Sequence, residues 1–256
     1  TLTDLDTTDG AITVDAGGAL TVTDVASGTN GNISLTTTSG DITGLATVNA
    51  GSGNVTLNSA GAIADDGSTG TVVTGGVLTA DAAGAITIDS TVASADISTS
   101  AAGAVDLDET DGITLTDLDT TDGAITVDAG GSIVATAVDS ADAGSDETHA
   151  VILTASTGDV TIGAITSDST LTIVATAGSI NDAGDDTTTD LTSTTNAIVL
   201  TAQDEIGGNA AVMSTDTAGA IEVAANSALD VSSTAAGGIV VSGAGALTLS
   251  DLDTTD

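Results

Sequence analysis

TLTDLDTTDGAITVDAGG, residues 1–18, recurs letter for letter at residues 114–131. Its first half starts a third time as TLSDLDTTD, residues 248–256, with Ser250 where Thr3 stood. Inside the phrase, apolar and polar residues alternate, as in Ile12-Thr13-Val14. That is the period of a half-buried strand. Asp, Thr and Gly punctuate it as turn formers do.

The same pattern extends through the chain. With the Gly of GAITV as position 1, units start at Gly10, Gly103, Gly123 and Gly237, and further units at Gly31, Gly53, Gly84, His149, Leu171, Asn196 and Gly219. Positions 3 and 5 are then Ile12/Val14, Val105/Leu107, Ile125/Val127 and Ile239/Val241. Position 11 is Leu20, Ile113, Ile133 and Leu247. No segment shows helical spacing. A unit of about twenty residues cannot bury its apolar edge alone, so it stacks on its neighbours. The reading is an all-β protein, a parallel β-solenoid of about eleven coils of roughly 20 residues with three strands per coil. At one strand spacing of about 4.8 Å per coil the stack is roughly 50 Å long. Leu5 and Leu252 are 247 residues apart, which reads as a whole number of coils. Residues 1–256 are therefore expected to be one continuous solenoid segment, one superrepeat of a longer chain.

Composition agrees. There are 256 residues, no Lys or Arg, 37 Asp plus Glu, one His, and no Phe, Tyr, Trp, Pro or Cys. An acidic chain without aromatics is often disordered, but 40% of these residues are hydrophobic and many are β-branched strand formers. A core of Val, Ile, Leu and Ala alone must be narrow, because nothing bulky is present to fill a wide one. No run approaches the roughly 18 apolar residues of a membrane helix, and no signal segment is visible. Membrane insertion is not expected.

GNVTLNSAGAI (53–63), GAITIDS (84–90) and GAITVDAGG (10–18) resemble the repeat regions of filamentous-haemagglutinin-like and giant β-strand-repeat surface proteins of bacteria. The resemblance implies a right-handed solenoid shaft, exported to the cell surface, that acts in adhesion or as an extracellular fibre. The expected partners are copies of the chain placed end to end, either as covalent superrepeats or as stacked subunits.

The Asp residues recur at fixed positions. Asp15, Asp89, Asp108 and Asp128 share position 6, and the DLDTTDG corners add Asp6, Asp9, Asp119 and Asp122. In successive coils, equal positions sit about 5 Å apart, where two carboxylates repel by about 1 kcal/mol even in water. With no basic side chain, cations must neutralise them. These eight residues are candidate Ca²⁺ ligands, since carboxylate and carbonyl oxygens at corners suit that ion. Divalent cations would also join neighbouring filaments. The competing reading is a solvated acidic surface with diffuse counterions. The spacing is not that of an EF-hand loop. DDGSTG (65–70), DAGSDETH (142–149) and NDAGDDTTTD (181–190) are expected to bulge from the shaft as further cation candidates.

Other classes fit poorly. Nucleic acid is excluded by charge sign. Sugar cleavage by two carboxylates lacks the aromatic platforms of a sugar cleft. A lone His149 in a polar loop makes neither a metal site nor a triad. Met213 reads as a filler. Thr21/Thr23 and Thr114/Thr116 form outward pairs that an ice-binding face would use, but Val134/Thr136 interrupts them. No catalysis is expected. The reading is a structural shaft of an extracellular filament or surface adhesin. The alternative is a calcium-dependent adhesin or matrix module that binds glycans or surfaces.

Overall fold

The computed structural model describes residues 1–140, 149–184, 188–194, 197–208, 219–224, 228–235 and 237–254. Met213, Asp142 and Asp256 lie outside them. Among the described residues there are 25 strands and no helix, so no helix is long and apolar enough to cross a membrane. The chain divides into two compact units, Thr1–Val127 and Asp128–Asp256. Each is a parallel β-solenoid, and together they hold about eleven turns.

The first unit has three sides. On side a, Leu5 pairs with Val25, Val25 with Val48, and Val48 with Val73. On side b the file runs Ile12, Ile33, Val55, Leu78, Ala95, Leu115. On side c it runs Leu20, Ile42, Ile63, Ile86, Val105, and the Val105 amide donates to the Ala124 carbonyl at 2.9 Å, which brings Ile125 next in line. These are the alternating residues of the sequence, pointing inward. Ile33, Leu57, Leu107 and Ile125 are fully buried.

The second unit repeats the plan. One file is Ile133, Val160, Ile180, Ile206, Ile239. Another is Val138, Ile165, Leu191, Val223, Gly243. The third is Val151, Leu171, Ile198, Leu229, Leu249.

These files correct the repeat numbering. Ile12 and Ile125 occupy the same place in the phrase, yet Ile12 lies on side b and Ile125 on side c. Leu5 and Leu118 do likewise: Leu5 pairs with Val25 on side a, Leu118 with Ile97 on side b. Val105 stacks on Ile86, and Ile86 on Ile63, a residue that the repeat alignment had put on another side. In the second unit Leu171, not Ile173, aligns with Val151. Leu249 and Leu252 align with Leu229 and Val231, whereas Ile239 lies on a different side and Ile221 pairs with Val241. The phrase thus advances by one side between its first two copies, and position 1 is not one corner. The physical reason is that all three sides make the same demand, apolar in and polar out, so one strand sequence fits any of them. Segment length sets the phase. Val48 to Val73 takes 25 residues and includes DDGSTG, while Val73 to Ser90 takes 17.

Glycine at position 1 has two causes: Gly219 carries the positive φ, 80°, that favours glycine at a tight corner, and four others answer to close packing. Gly31, Gly53, Gly103 and Gly123 are there because coils approach closely. A Cβ on Gly31 would meet the Gly10 carbonyl oxygen at 2.5 Å, and one on Gly103 the Gly84 carbonyl carbon at 2.4 Å. None of the four carries the positive φ that a tight corner would have required.

Ile125→Asp places a carboxylate in this aliphatic file with no cation in the chain to pair it. We expect a loss of several kcal/mol, the usual scale for an uncompensated buried charge, measured by urea unfolding. A loss below about 1 kcal/mol contradicts the inward orientation of side c.

Candidate functional site

The DLDTTDG corner is held by its threonine. Thr7 Oγ1 donates to the Gly10 carbonyl at 2.5 Å, and Thr120 Oγ1 to that of Gly123 at 2.5 Å. The same device recurs. Ser27 bonds the Gly31 carbonyl, Thr37 that of Gly40 at 2.8 Å, Ser59 that of Ala62 at 2.9 Å and Thr99 that of Gly103 at 3.1 Å. These hydroxyls are inside; Ser27, Thr37, Ser59, Thr99 and Thr120 are all buried. A hydroxyl three or four residues before a corner carbonyl gives that acceptor a partner across the corner. A Ser or Thr at that spacing before Gly was the available sequence signal, and the Asp-based reading passed over it.

The eight candidate Asp residues are not gathered. Asp6 lies opposite Ala26, Asp15 opposite Thr36, Asp119 opposite Ser98 and Asp122 opposite Ala102. Asp9 is exposed in the first corner, and Asp128 is exposed at the start of the second unit. Asp89 and Asp108 do stack as direct register partners. Asp15 stands apart from them because its strand is on side b and theirs is on side c. Among the described residues, no three acidic or histidine side chains form a group that could hold a metal ion.

Asp89 and Asp108 instead line an acidic recess of about 400 Å³ in the first unit. The DDGSTG loop forms its other wall. Asp65 Oδ1 accepts the Gly67 amide at 2.9 Å, and Asp66 Oδ1 the Ser68 amide at 2.9 Å. Thr71 closes the loop by hydroxyl bonds to Thr91 at 3.0 Å and to Thr110 at 2.8 Å. Burial, with Asp65 and Asp108 nearby, raises the Asp89 carboxyl above its ordinary value. Burial and the neighbouring Asp117 and Asp81 do the same to Asp96.

Glu109 stands at the inner edge of the recess and is only 3% exposed. Its Oε2 accepts the Ser90 hydroxyl at 2.6 Å and the Val92 amide at 3.1 Å, and its Oε1 accepts the Asp111 amide at 3.3 Å. Burial raises its carboxyl, and the bonds from Ser90 and Val92 pull the other way. Sequence reading missed Glu109, because one Glu in an alternating strand looks no different from its exposed neighbours.

His149 was expected in a polar loop; it is buried. Its Nδ1 lies 3.3 Å from Asp168 Oδ2, and its amide donates to Asp168 Oδ1 at 3.1 Å. Its carbonyl accepts the hydroxyls of Ser140 at 2.8 Å and Ser167 at 2.9 Å. The residue fastens a corner of the second unit. Residues 142–148 of DAGSDETH and 185–187 of NDAGDDTTTD lie outside the described residues.

Comparison with known protein families, with curated proteins and with solved structures finds no match. The resemblance to surface-protein repeats therefore rests on the residue pattern alone. Chemically, the recess is a field of carboxylates and hydroxyls. It has one buried, satisfied glutamate.

Two measurements test this electrostatic picture. Glu109, Asp89 and Asp96 have raised carboxyls, so their protonation favours the fold. Their contribution is complete below the ordinary carboxylate range, about 4, and is lost as pH rises through the raised values. The melting temperature should therefore be higher at about pH 5 than at pH 8, and Glu109→Gln should reduce the difference. An equal difference in the variant removes Glu109 from the account. Second, NaCl should raise the melting temperature by screening like charges, and EDTA at fixed ionic strength should leave it unchanged. A fall of several degrees with EDTA would establish specific divalent sites.

Proposed function

We propose that this chain is a structural shaft segment of an extracellular filament or surface adhesin. One observation carries the reading. In each unit, every side is an aliphatic file closed by parallel backbone pairing, and the strands run coil upon coil without any other kind of element among the described residues. Such a body transmits load through stacked, mutually satisfied backbones. Its sequence has no Lys, no Arg and no Phe, Tyr or Trp to serve as a platform for a substrate. The absence of Lys and Arg also removes the cleavage sites of trypsin-like proteases, which suits exposure outside a cell.

Small-angle scattering and negative-stain microscopy of the purified chain test the shaft. The expected particle is elongated, with about eleven steps of the strand spacing, roughly 50 Å along its axis. A compact, near-spherical particle overturns the reading. Surface labelling of intact source cells with an antibody tests the compartment, and labelling only after permeabilisation would refute it.

A further inference from the structure

Asn30-Gly31 is the one Asn-Gly step in the sequence, and the fold leaves its reactive amide free. The step lies in the corner just before the strand Ile33–Thr37. Asn30 is exposed and Gly31 is buried. Packing holds the glycine in place, since a Cβ there would meet the Gly10 carbonyl oxygen at 2.5 Å. Its amide lies outside the ladders and donates to no acceptor among the described residues. Ser52, one coil on, directs its hydroxyl to Asn30 Oδ1, and the same oxygen lies 3.2 Å from the Thr29 carbonyl oxygen.

An asparagine side chain is attacked by the backbone nitrogen of the residue that follows it, so the state of that amide decides its reactivity. Elsewhere the amide is held. After Asn32, the Ile33 amide donates to the Asn54 carbonyl at 2.9 Å, and after Asn49, the Ala50 amide donates to that of Thr74 at 2.9 Å. Asn54 and Asn58 are followed by Val55 and Ser59, inside a strand paired on both edges. Asn181 is followed by Asp182, whose side chain crowds the attack. Glycine has no side chain to do so.

We propose that Asn30 is a self-modifying site, where the chain deamidates without an enzyme and with water as the only co-reactant. The Gly31 nitrogen attacks Asn30 Cγ. The N–Cγ bond forms, the Cγ–Nδ2 bond breaks, and Nδ2 leaves as ammonia with the proton that the Gly31 nitrogen gives up. Water then opens the cyclic imide. Breaking the N–Cγ bond leaves aspartate at position 30 with the backbone restored. Breaking the backbone C–N bond leaves isoaspartate, with one more methylene in the main chain. Nothing is oxidised or reduced. The Ser52 hydroxyl polarises the Asn30 carbonyl and faces the oxygen that takes up negative charge during the attack, the role of a donor at an oxyanion. The product adds a carboxylate to a chain of formal net charge −37 that has no Lys or Arg to meet it. The isoaspartyl form also lengthens the backbone where Gly31 has no room against Gly10.

Prolonged incubation of the folded chain in mildly alkaline buffer, followed by peptic digestion and mass spectrometry, tests this. The peptide that holds Asn30 should gain the mass difference between OH and NH₂, and an acidic form should grow on anion exchange. Peptides that hold Asn32, Asn49, Asn54 and Asn58 should stay unchanged. Asn30→Gln, which would have to close a larger ring, should give no acidic form. Ser52→Ala, at an exposed position, should keep the circular dichroism of the wild type. It should slow the reaction in the folded chain and leave it unchanged in urea. A folded chain that keeps Asn30 intact while the urea-unfolded chain loses it would overturn the proposal. So would deamidation of the folded chain spread over the other asparagines, or a folded Ser52→Ala chain that reacts as fast as wild type.

Discussion

Parallel backbone pairing from one coil to the next, at a single strand spacing of about 4.8 Å, is the constraint on which everything else depends. It stacks each side chain on its counterpart in the next coil and leaves an interior only a few aliphatic side chains wide. That width explains the missing aromatics. It also explains position-1 glycines such as Gly31, where successive coils come so close that a Cβ would strike the Gly10 carbonyl. At the corners the interior also takes polar groups, often a small hydroxyl such as that of Thr37 or Ser59.

The same stacking turns composition into electrostatics. A residue that recurs once per coil meets its own kind, and along one file of side b neutral residues stand between the acidic ones. There Thr36 and Asn58 stand between Asp15 and Asp81, and Ser98 between Asp81 and Asp119. Where carboxylates do stack, at Asp89 with Asp108 and Asp96 with Asp117, burial and the neighbouring charge raise the Asp89 and Asp96 carboxyls. A chain without Lys or Arg has neither to set beside them. Glu109, like Asp168, Asp190 and Glu222, lies inside, and both of its oxygens are bonded.

Much of this was legible in the letters. Alternation over Ile12-Thr13-Val14 and its many relatives is a local property, and burial of the apolar set follows from it whatever the neighbours are. The fold class, the inward residues Ile33, Val105, Leu107 and Ile125, and the Asp89–Asp108 stack were all readable in that way. The candidate site was less so. Its corner fastening by Thr7 and Thr120, the buried Glu109 and the His149–Asp168 pair depend on residues far apart in sequence or on a single side chain's depth, and no periodicity reports either.

By itself, then, the sequence determined that these residues form strands, which face of each strand is apolar, and that the strands stack in parallel coils. Only the tertiary structure decided which side each strand occupies. The identical phrase lies on side a then b in its first copy, and on b then c in its second, because the three sides are chemically equivalent. Segment lengths such as the long turn through DDGSTG, and not the strand residues, carry the chain around each coil. Phase is a sum over the whole path, so no stretch of eighteen residues can encode it.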